Sequence, residues 1–338
     1  MTQVDGRPFP FEATYSYFLA RQAIDKLDAA LQQQTAPVYT QLDLFDPHQP
    51  FGIPDGFEKR ERDLRAICSE LPRSYKQTAA SDWKPQADQP GIYDLYRRYW
   101  GLYDSATVVD YRVANALQME VVDRALGMFI AELKLRGLYD DSIIVFTSDH
   151  GEMNGRRVLI DKGVYLYPDV LRVPLTIKMP AGSGIKPRGV ESPVSHLDVA
   201  PTLLHLVGID AQARLDGVSL VPILEGASGG DRDFVFECGT HVGVNFACGI
   251  QSWQGNGQHF LYSYNTSSNI DELYDLNETD AVNLTADAKH AATRKRMIER
   301  LGSAISRDPR WLIYWSSFRL DHYFELPRPS GDMQFPVL

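Results

Sequence analysis

The chain has 338 residues, 44% of them hydrophobic and 23% charged, a globular composition that excludes a disordered tail, a collagen or a disulfide scaffold. Its 34 basic against 44 acidic side chains leave a net charge of -10, so it lacks the electrostatic footprint of a nucleic-acid binder. That balance still admits an anionic substrate, because a local cluster or a metal can reverse the field of a site.

In chain order, Phe18, Ile24, Leu27 and Leu31 recur at near-helical spacing and predict a helix over 12–33. Val38 to Phe45 reads as a strand, broken by the three prolines of DPHQPFGIP. Residues 55–100 are polar and predict short helices and surface loop. A longer helix is expected over about 107–136, with Ala116, Met119, Val122, Leu126, Ile130 and Leu133 as its apolar stripe and Gly137 as its stop. The apolar run Ile143 to Phe146 then predicts a fully buried strand, the unit of a parallel α/β sheet. Arg172 to Pro180 reads as a second strand. Ser195 to Ile209 reads as a helix capped by Ser195 or Asp198. After about residue 228 four short aromatic-rich stretches, DFVFECG, NFACGIQSW, QHFLYSYN and DELYDL, predict a small antiparallel sheet. A late helix is expected over 286–303, and the aromatic, proline-rich end is expected to wrap over the body. The division is therefore an α/β body over 1–228 and an α+β lobe with its tail over 229–338.

Asp149 and His150 directly follow the predicted strand, and ligands of open α/β sheets bind outside the carboxyl ends of strands. A carboxylate, an imidazole and a following glycine begin a cation site, with Glu152 two residues on; the structural alternative is that Asp149 caps the next helix. His48 lies between two prolines just past the other predicted strand, where a constrained imidazole suits general-acid work or an anion contact, or is simply a loop histidine. Lys162 offers a compact cation to an anionic group, or is a solvated surface lysine. Cys68, Cys238 and Cys248 form no CxxC or metal-ligand spacing and read as free thiols of a reducing compartment. No apolar run approaches the roughly 18 residues of a membrane span. The N-terminus lacks the order of a signal peptide, so a cytoplasmic protein without a membrane partner is expected, and sequons at Asn265, Asn277 and Asn283 read as accidental.

SDHGEMNG (Ser148 to Gly155), Lys162 and LRVPL (Leu171 to Leu175) together resemble the type I sulfatases of the alkaline phosphatase superfamily. Four further pieces agree in order: DPHQPF (Asp46 to Phe51), VSHLDVAPTLLHLVGI (Val194 to Ile209), DGVSLVPIL (Asp216 to Leu224) and ELYDLNETDAVNLTAD (Glu272 to Asp287). The resemblance implies an alkaline-phosphatase-like mixed sheet flanked by helices, with a small C-terminal antiparallel α+β lobe. It implies sulfuric ester hydrolysis with a divalent cation, usually Ca2+, with Mg2+ or Mn2+ as alternatives. Asp149 and His150 would stand at metal positions, with His150 able instead to hydrogen-bond the ester or to favour another metal. His48 and Lys162 would hold the sulfate oxygens, His48 also being the candidate proton donor to the leaving group. Asp198, Pro201, Thr202, Arg172 and Pro174 match positions read as structural.

The family's nucleophile, a Cys or Ser in C/S-x-P-S-R, is absent from the sequence, as are its earlier Asp pair and later Lys-x-His pair. Cys68, in CSELPRS, has Pro and Arg at the wrong offsets and follows the His48 motif, so no residue is assigned as nucleophile. The chain therefore reads as the C-terminal portion of a sulfatase, weakly active or inactive alone, with an exposed sheet edge that allows a homo-oligomer. Arg156-Arg157 stands where the family often has Asp-His, and either selects an acidic substrate or is an exposed pair. The Lys162 to Arg172 spacing is about one residue longer than the family's. The expected ligand is a small-molecule or carbohydrate sulfate ester. Two alternatives remain: a phosphatase or phosphonate monoesterase of the same superfamily, and a non-catalytic fragment.

Overall fold

A computed structural model describes residues 9–33, 37–79, 88–211, 214–240, 244–268, 270–278 and 282–322. Helix α1 (Tyr15–Gln32) starts at Thr14, whose hydroxyl accepts from the Tyr17 amide. It buries Ala20, Ala23, Ile24 and Leu27, while Phe18 and Leu31 of the predicted stripe are exposed. Val38 to Phe45, read as a strand, join no ladder among the described residues, and Tyr39 and Phe45 face solvent. Alternation alone does not make a strand where no neighbour presents a free edge.

Three short helices follow as expected, α2 (Glu58–Cys68), α3 (Arg73–Ala79) and α4 (Gly91–Tyr99). The long helix α5 (Ser105–Leu135) is capped by Asp104 and stopped by Gly137 at φ +66°. There the Gly137 and Leu138 amides reach back to Lys134 and Leu133, satisfying otherwise orphaned carbonyls. Its buried face is only partly the predicted one: Leu133 is buried and Ala116 packs on the core, but Val113, Leu117, Val121 and Ala125 carry most of the burial and Met119 is exposed. Val113 and Leu117 meet Leu64 and Cys68 of α2, and Val121 and Ala125 meet Ala20 of α1.

Strands β1 (Ile144–Thr147) and β2 (Leu175–Lys178) correct the parallel expectation. They pair with each other, antiparallel, in a two-stranded sheet with Ile144 opposite Lys178. Neither is fully buried, and Phe146 is exposed. The continuous apolar run implied cover on both faces, and the described residues provide it only in part. Helix α6 (Pro168–Leu171) lies between these strands in sequence, and α7 (Val199–Leu206) and α8 (Val221–Leu224) follow.

Ser195 and Asp198 form a reciprocal capping box ahead of α7. Asp198, fully buried, also accepts from the Val218 amide at 2.9 Å and from both terminal nitrogens of Arg232 at 2.6 and 2.9 Å. Thr202 receives the Leu220 amide at 2.8 Å, so the two residues pin the segment before α8 onto α7. Burial alone would push the Asp198 carboxyl up; Arg232 and the two amides outweigh it and hold it below the usual carboxylate range.

The C-terminal sheet is an antiparallel meander, β3 (Arg232–Thr240), β4 (Val244–Trp253), β5 (His259–Asn265) and β6 (Ile270–Asp275), in chain order. Each predicted aromatic stretch is one strand. The period-2 alternation of β5 is buried on both sides. Phe260, Tyr262 and Tyr264 pack on α9 (Ala291–Ile305) and α10 (Leu312–His322) through Met297, Leu301, Ile305, Trp315 and Phe318. Leu261, with Tyr274 and Leu276, packs instead on Met153, Leu159, Tyr165 and Tyr167 of the body. Asn265 is fully buried and donates to Glu272, so that sequon is a core residue. All three cysteines are free. The aromatic end contributes α10 to the core, and its expected wrap over 323–338 lies outside the described residues.

Three substitutions test the stability of this packing. Leu301→Ala removes a fully buried side chain and lowers the unfolding free energy in urea by about 2–5 kcal/mol. Leu135→Ala, at an 81% exposed position, changes it by no more than about 0.5 kcal/mol. Arg232→Ala leaves the Asp198 carboxylate buried without its cation and costs on the order of 3 kcal/mol at pH 7. Because the folded Asp198 binds its proton less readily than the unfolded one, its contribution is complete above the unfolded value and lost as pH falls through the folded value. The gap between wild type and Arg232→Ala, measured by thermal melting, therefore narrows as pH falls through and below the usual carboxylate range.

Candidate active site

The His48 segment is fixed at both ends. Asp46 is buried and accepts from the Ser16 amide at 3.2 Å and from the Ser16 hydroxyl, at the start of α1. Downstream, the Gly52 amide donates to Gln118 of α5 at 3.0 Å. His48 packs on Phe45 with ring centroids 4.9 Å apart, and its Nδ1 lies 2.6 Å from the Gln49 carbonyl. A carbonyl only accepts, so Nδ1 carries the proton and the neutral ring leaves a bare lone pair on Nε2. That lone pair faces the Lys162 ammonium, which donates to it. Two residues separated by 114 positions in sequence thus meet.

Lys162 projects from an irregular segment, 152–167, in which Met153, Val158, Leu159, Ile160, Val164, Tyr165, Leu166 and Tyr167 are all buried. Six of its residues have left-handed backbone: Asn154, Gly155, Arg157, Val158, Asp161 and Gly163. Gly155 is required on a second count, since a Cβ there would sit 2.7 Å from Val108 of α5. Val158 at φ +59° is a β-branched residue in a region that sterics disfavour, and it is held there by its surroundings. Asp161, 1% exposed, accepts from the Lys162 amide at 2.8 Å and from Tyr96 of α4 at 2.8 Å, and lies 3.2 Å from the Lys162 ammonium. Burial would raise its carboxyl, but these three donors hold it below the usual range.

Asp149 and His150 leave the end of β1 in a loop. No helix follows Asp149 directly, so the capping alternative does not hold; its Oδ1 instead accepts the His150 amide at 3.0 Å. Its side chain is 85% exposed, and His150 Nε2 lies 3.5 Å from it. His150 Nδ1 is engaged with the Gly151 carbonyl at 2.9 Å. Among the described residues, no group of three His, Cys, Asp or Glu is placed to hold a metal. One carboxylate and one imidazole do not fit a complete site for a hard cation, which takes about six to eight oxygens in the case of Ca2+.

Helix α5 ties the His48 segment to the Lys162 segment. Tyr111 donates to Glu152 at 3.0 Å and lies 3.5 Å from Gln49. Asn115 accepts from Asn154 at 3.3 Å, and Gln118 holds Gly52. Sequence reasoning missed this set, although its signal was present: polar side chains at i, i+4 and i+7 within an apolar helical pattern. Glu152, whose carboxyl burial pushes up, accepts the Asn154 and Asp161 amides and so closes the loop on itself. The adjacent arginines are not an exposed, substrate-facing pair. Arg156 binds Asp169 at 2.6 Å, and Arg157 is buried against the rings of Tyr167 and Tyr274. Arg172 donates to the Leu276 carbonyl, which agrees with its packing role. Cys68 is buried between α2 and α5 in an apolar cluster.

The profile of the sulfatase family matches residues 6–209, and that of the C-terminal part of N-sulphoglucosamine sulphohydrolase matches residues 155–307. The chain is 26% identical over 319 residues to the uncharacterized sulfatase YidJ of Escherichia coli strain K12, covering 90% of this chain and 58% of that one. It is 41% identical over 213 residues to the choline-sulfatase of Rhizobium meliloti strain 1021, covering 62% and 40%. The crystal structure of a phosphonate monoester hydrolase of Agrobacterium radiobacter superposes with a TM-score of 0.63 at 24% identity, over 87% of this chain and 61% of that one. That likeness establishes the alkaline-phosphatase-like fold. The chain spans less than two thirds of the length of these relatives.

Proposed function

The chain belongs to the sulfatase family, and on that footing we propose that it serves sulfuric ester hydrolysis, with His48 and Lys162 as the donors that receive the sulfate oxygens. The observation that carries this reading is the meeting of the His48 Nε2 lone pair with the Lys162 ammonium. Without an anion the pair shares one proton-bearing face, since two adjacent cations repel. An oxyanion inserted between them would take hydrogen bonds from Lys162 and from the His48 ring. Nε2, once protonated from solvent, would donate to the ester oxygen as a nucleophile not assigned among these residues bonds to sulfur and the S–O bond breaks, so the alcohol would leave neutral. The substrate class is a small-molecule or carbohydrate sulfate ester. Asp149 and His150 would supply two ligands to a divalent cation, Ca2+ in the first instance, whose charge would offset that of the sulfuryl group. The remaining ligands are not among these two residues, and the roles given to His48 and Lys162 do not pass through the metal.

The sequence holds no C/S-x-P-S-R segment, and Cys68 is enclosed in a core cluster, so no side chain is assigned to attack sulfur. The isolated chain is therefore expected to bind the anion and to turn over negligibly. The test is calorimetric titration with inorganic sulfate, alongside hydrolysis of an aryl sulfate and an aryl phosphate with and without Ca2+. Sulfate binding that weakens about tenfold or more in both His48→Ala and Lys162→Ala supports the pocket. Binding unchanged by either substitution removes it. Metal-dependent aryl sulfate turnover would mean that a nucleophile lies elsewhere in the chain; aryl phosphate turnover alone would favour the phosphatase or phosphonate monoesterase reading.

A further inference from the structure

Lys162 has four carbons of free rotation, yet its ammonium meets one particular lone pair, and its side chain is only 18% exposed. The contacts of Asp161 account for this. One carboxylate oxygen accepts the Lys162 backbone amide and lies 3.2 Å from the Lys162 ammonium, so the lysine is folded back over its own residue's start. The other oxygen accepts the Tyr96 hydroxyl at 2.8 Å. Tyr96 is itself 2% exposed and packed edge-on against Tyr165 at 5.7 Å. Behind it the Asp161 amide donates to Glu152, which Tyr111 of α5 also holds. Both oxygens of the carboxylate are thus engaged, on a residue whose backbone is left-handed at φ +64°.

We propose that Asp161 is the positioning residue of the site: buried and fixed by Tyr96, it clamps the Lys162 ammonium in line with His48. It touches no substrate and acts only through Lys162. A clamped cation meets its ligand with its side-chain entropy already lost, which is preorganisation. This assignment rests on the reading of Lys162 as an anion contact, but the clamp itself is separable from that reading.

The test is residue-resolved acetylation of the folded chain by an N-hydroxysuccinimide ester at pH 8, followed by mass spectrometry, with and without inorganic sulfate. Asp161→Asn keeps an acceptor for the Lys162 amide and tolerates the left-handed backbone, but removes the charge. Loss of the ion pair is expected to raise Lys162 acetylation about fivefold, with the melting temperature close to that of wild type. Tyr96→Phe, which frees one carboxylate oxygen only, is expected to raise it about twofold. Asp94→Asn, which removes a carboxylate that pairs with Arg98, leaves it unchanged. A purely architectural role for Asp161 predicts wild-type acetylation in Asp161→Asn, and that result would overturn the proposal. Unchanged acetylation in Tyr96→Phe as well as Asp161→Asn would do so even if other Asp161 substitutions fail to fold. Sulfate protection of Lys162 reports on the pocket: acceleration in Asp161→Asn without protection in wild type leaves the clamp standing and removes the anion reading.

Discussion

A stretch of chain without regular secondary structure lies inside this protein, and satisfying its backbone organises what surrounds it. Irregular segments usually run over the surface because buried amides and carbonyls need partners. Between residues 152 and 167 those partners are side chains from several elements. Ser74 of α3 accepts the Arg157 amide, and Arg97 of α4 donates twice to the Arg157 carbonyl. Tyr165 donates to the Ile160 carbonyl, and Asn245 of β4 to that of Val164. Glu152 and Asp161 complete the set from within the segment. Each such bond has a modest net value, but leaving one unmade in the interior is costly, so the conformation is specified rather than merely permitted. A strained backbone persists on those terms, and the strain falls beside Lys162.

The C-terminal sheet is the floor of this arrangement. One face is closed by α9 and α10, and the other bears on the irregular segment through Tyr274, Leu261 and Leu276. Buried Glu272 of β6 receives the hydroxyls of Tyr93 and Tyr274, linking the sheet to α4. Arg157, enclosed between Tyr167 and Tyr274, adds a cation over two rings at the same junction. The region that the sequence set apart as a lobe is therefore continuous in packing with the site segment, and α5 holds that segment from the opposite side.

Much of this was legible in the residues because the signals were local. The cap at Ser195, the stop at Gly137 and the four aromatic strands each depend on near neighbours. What stayed hidden depends on distant ones. Whether Val38 to Phe45 becomes a strand is decided by an available edge, and which face of α5 is buried is decided by α1 and α2 packing on different sides. The direction of β1 relative to β2 cannot be read from an apolar run. For the site, His48, Lys162, Asp149 and His150 stood out by position and resemblance, and the structure brings the first two together. Tyr111, Asn115, Gln118 and Asp161 did not, because their work is to hold other groups and a lone polar residue in a helix or loop carries no mark of its partner.

The central claim is that the space between the His48 imidazole and the Lys162 ammonium receives a tetrahedral oxyanion. Crystals soaked in selenate, a sulfate isostere with anomalous scattering, locate the anion directly. The account predicts an anomalous peak within hydrogen-bond distance of both His48 Nε2 and Lys162 Nζ, lost in Lys162→Ala. A peak elsewhere with that pair still in mutual contact would contradict it.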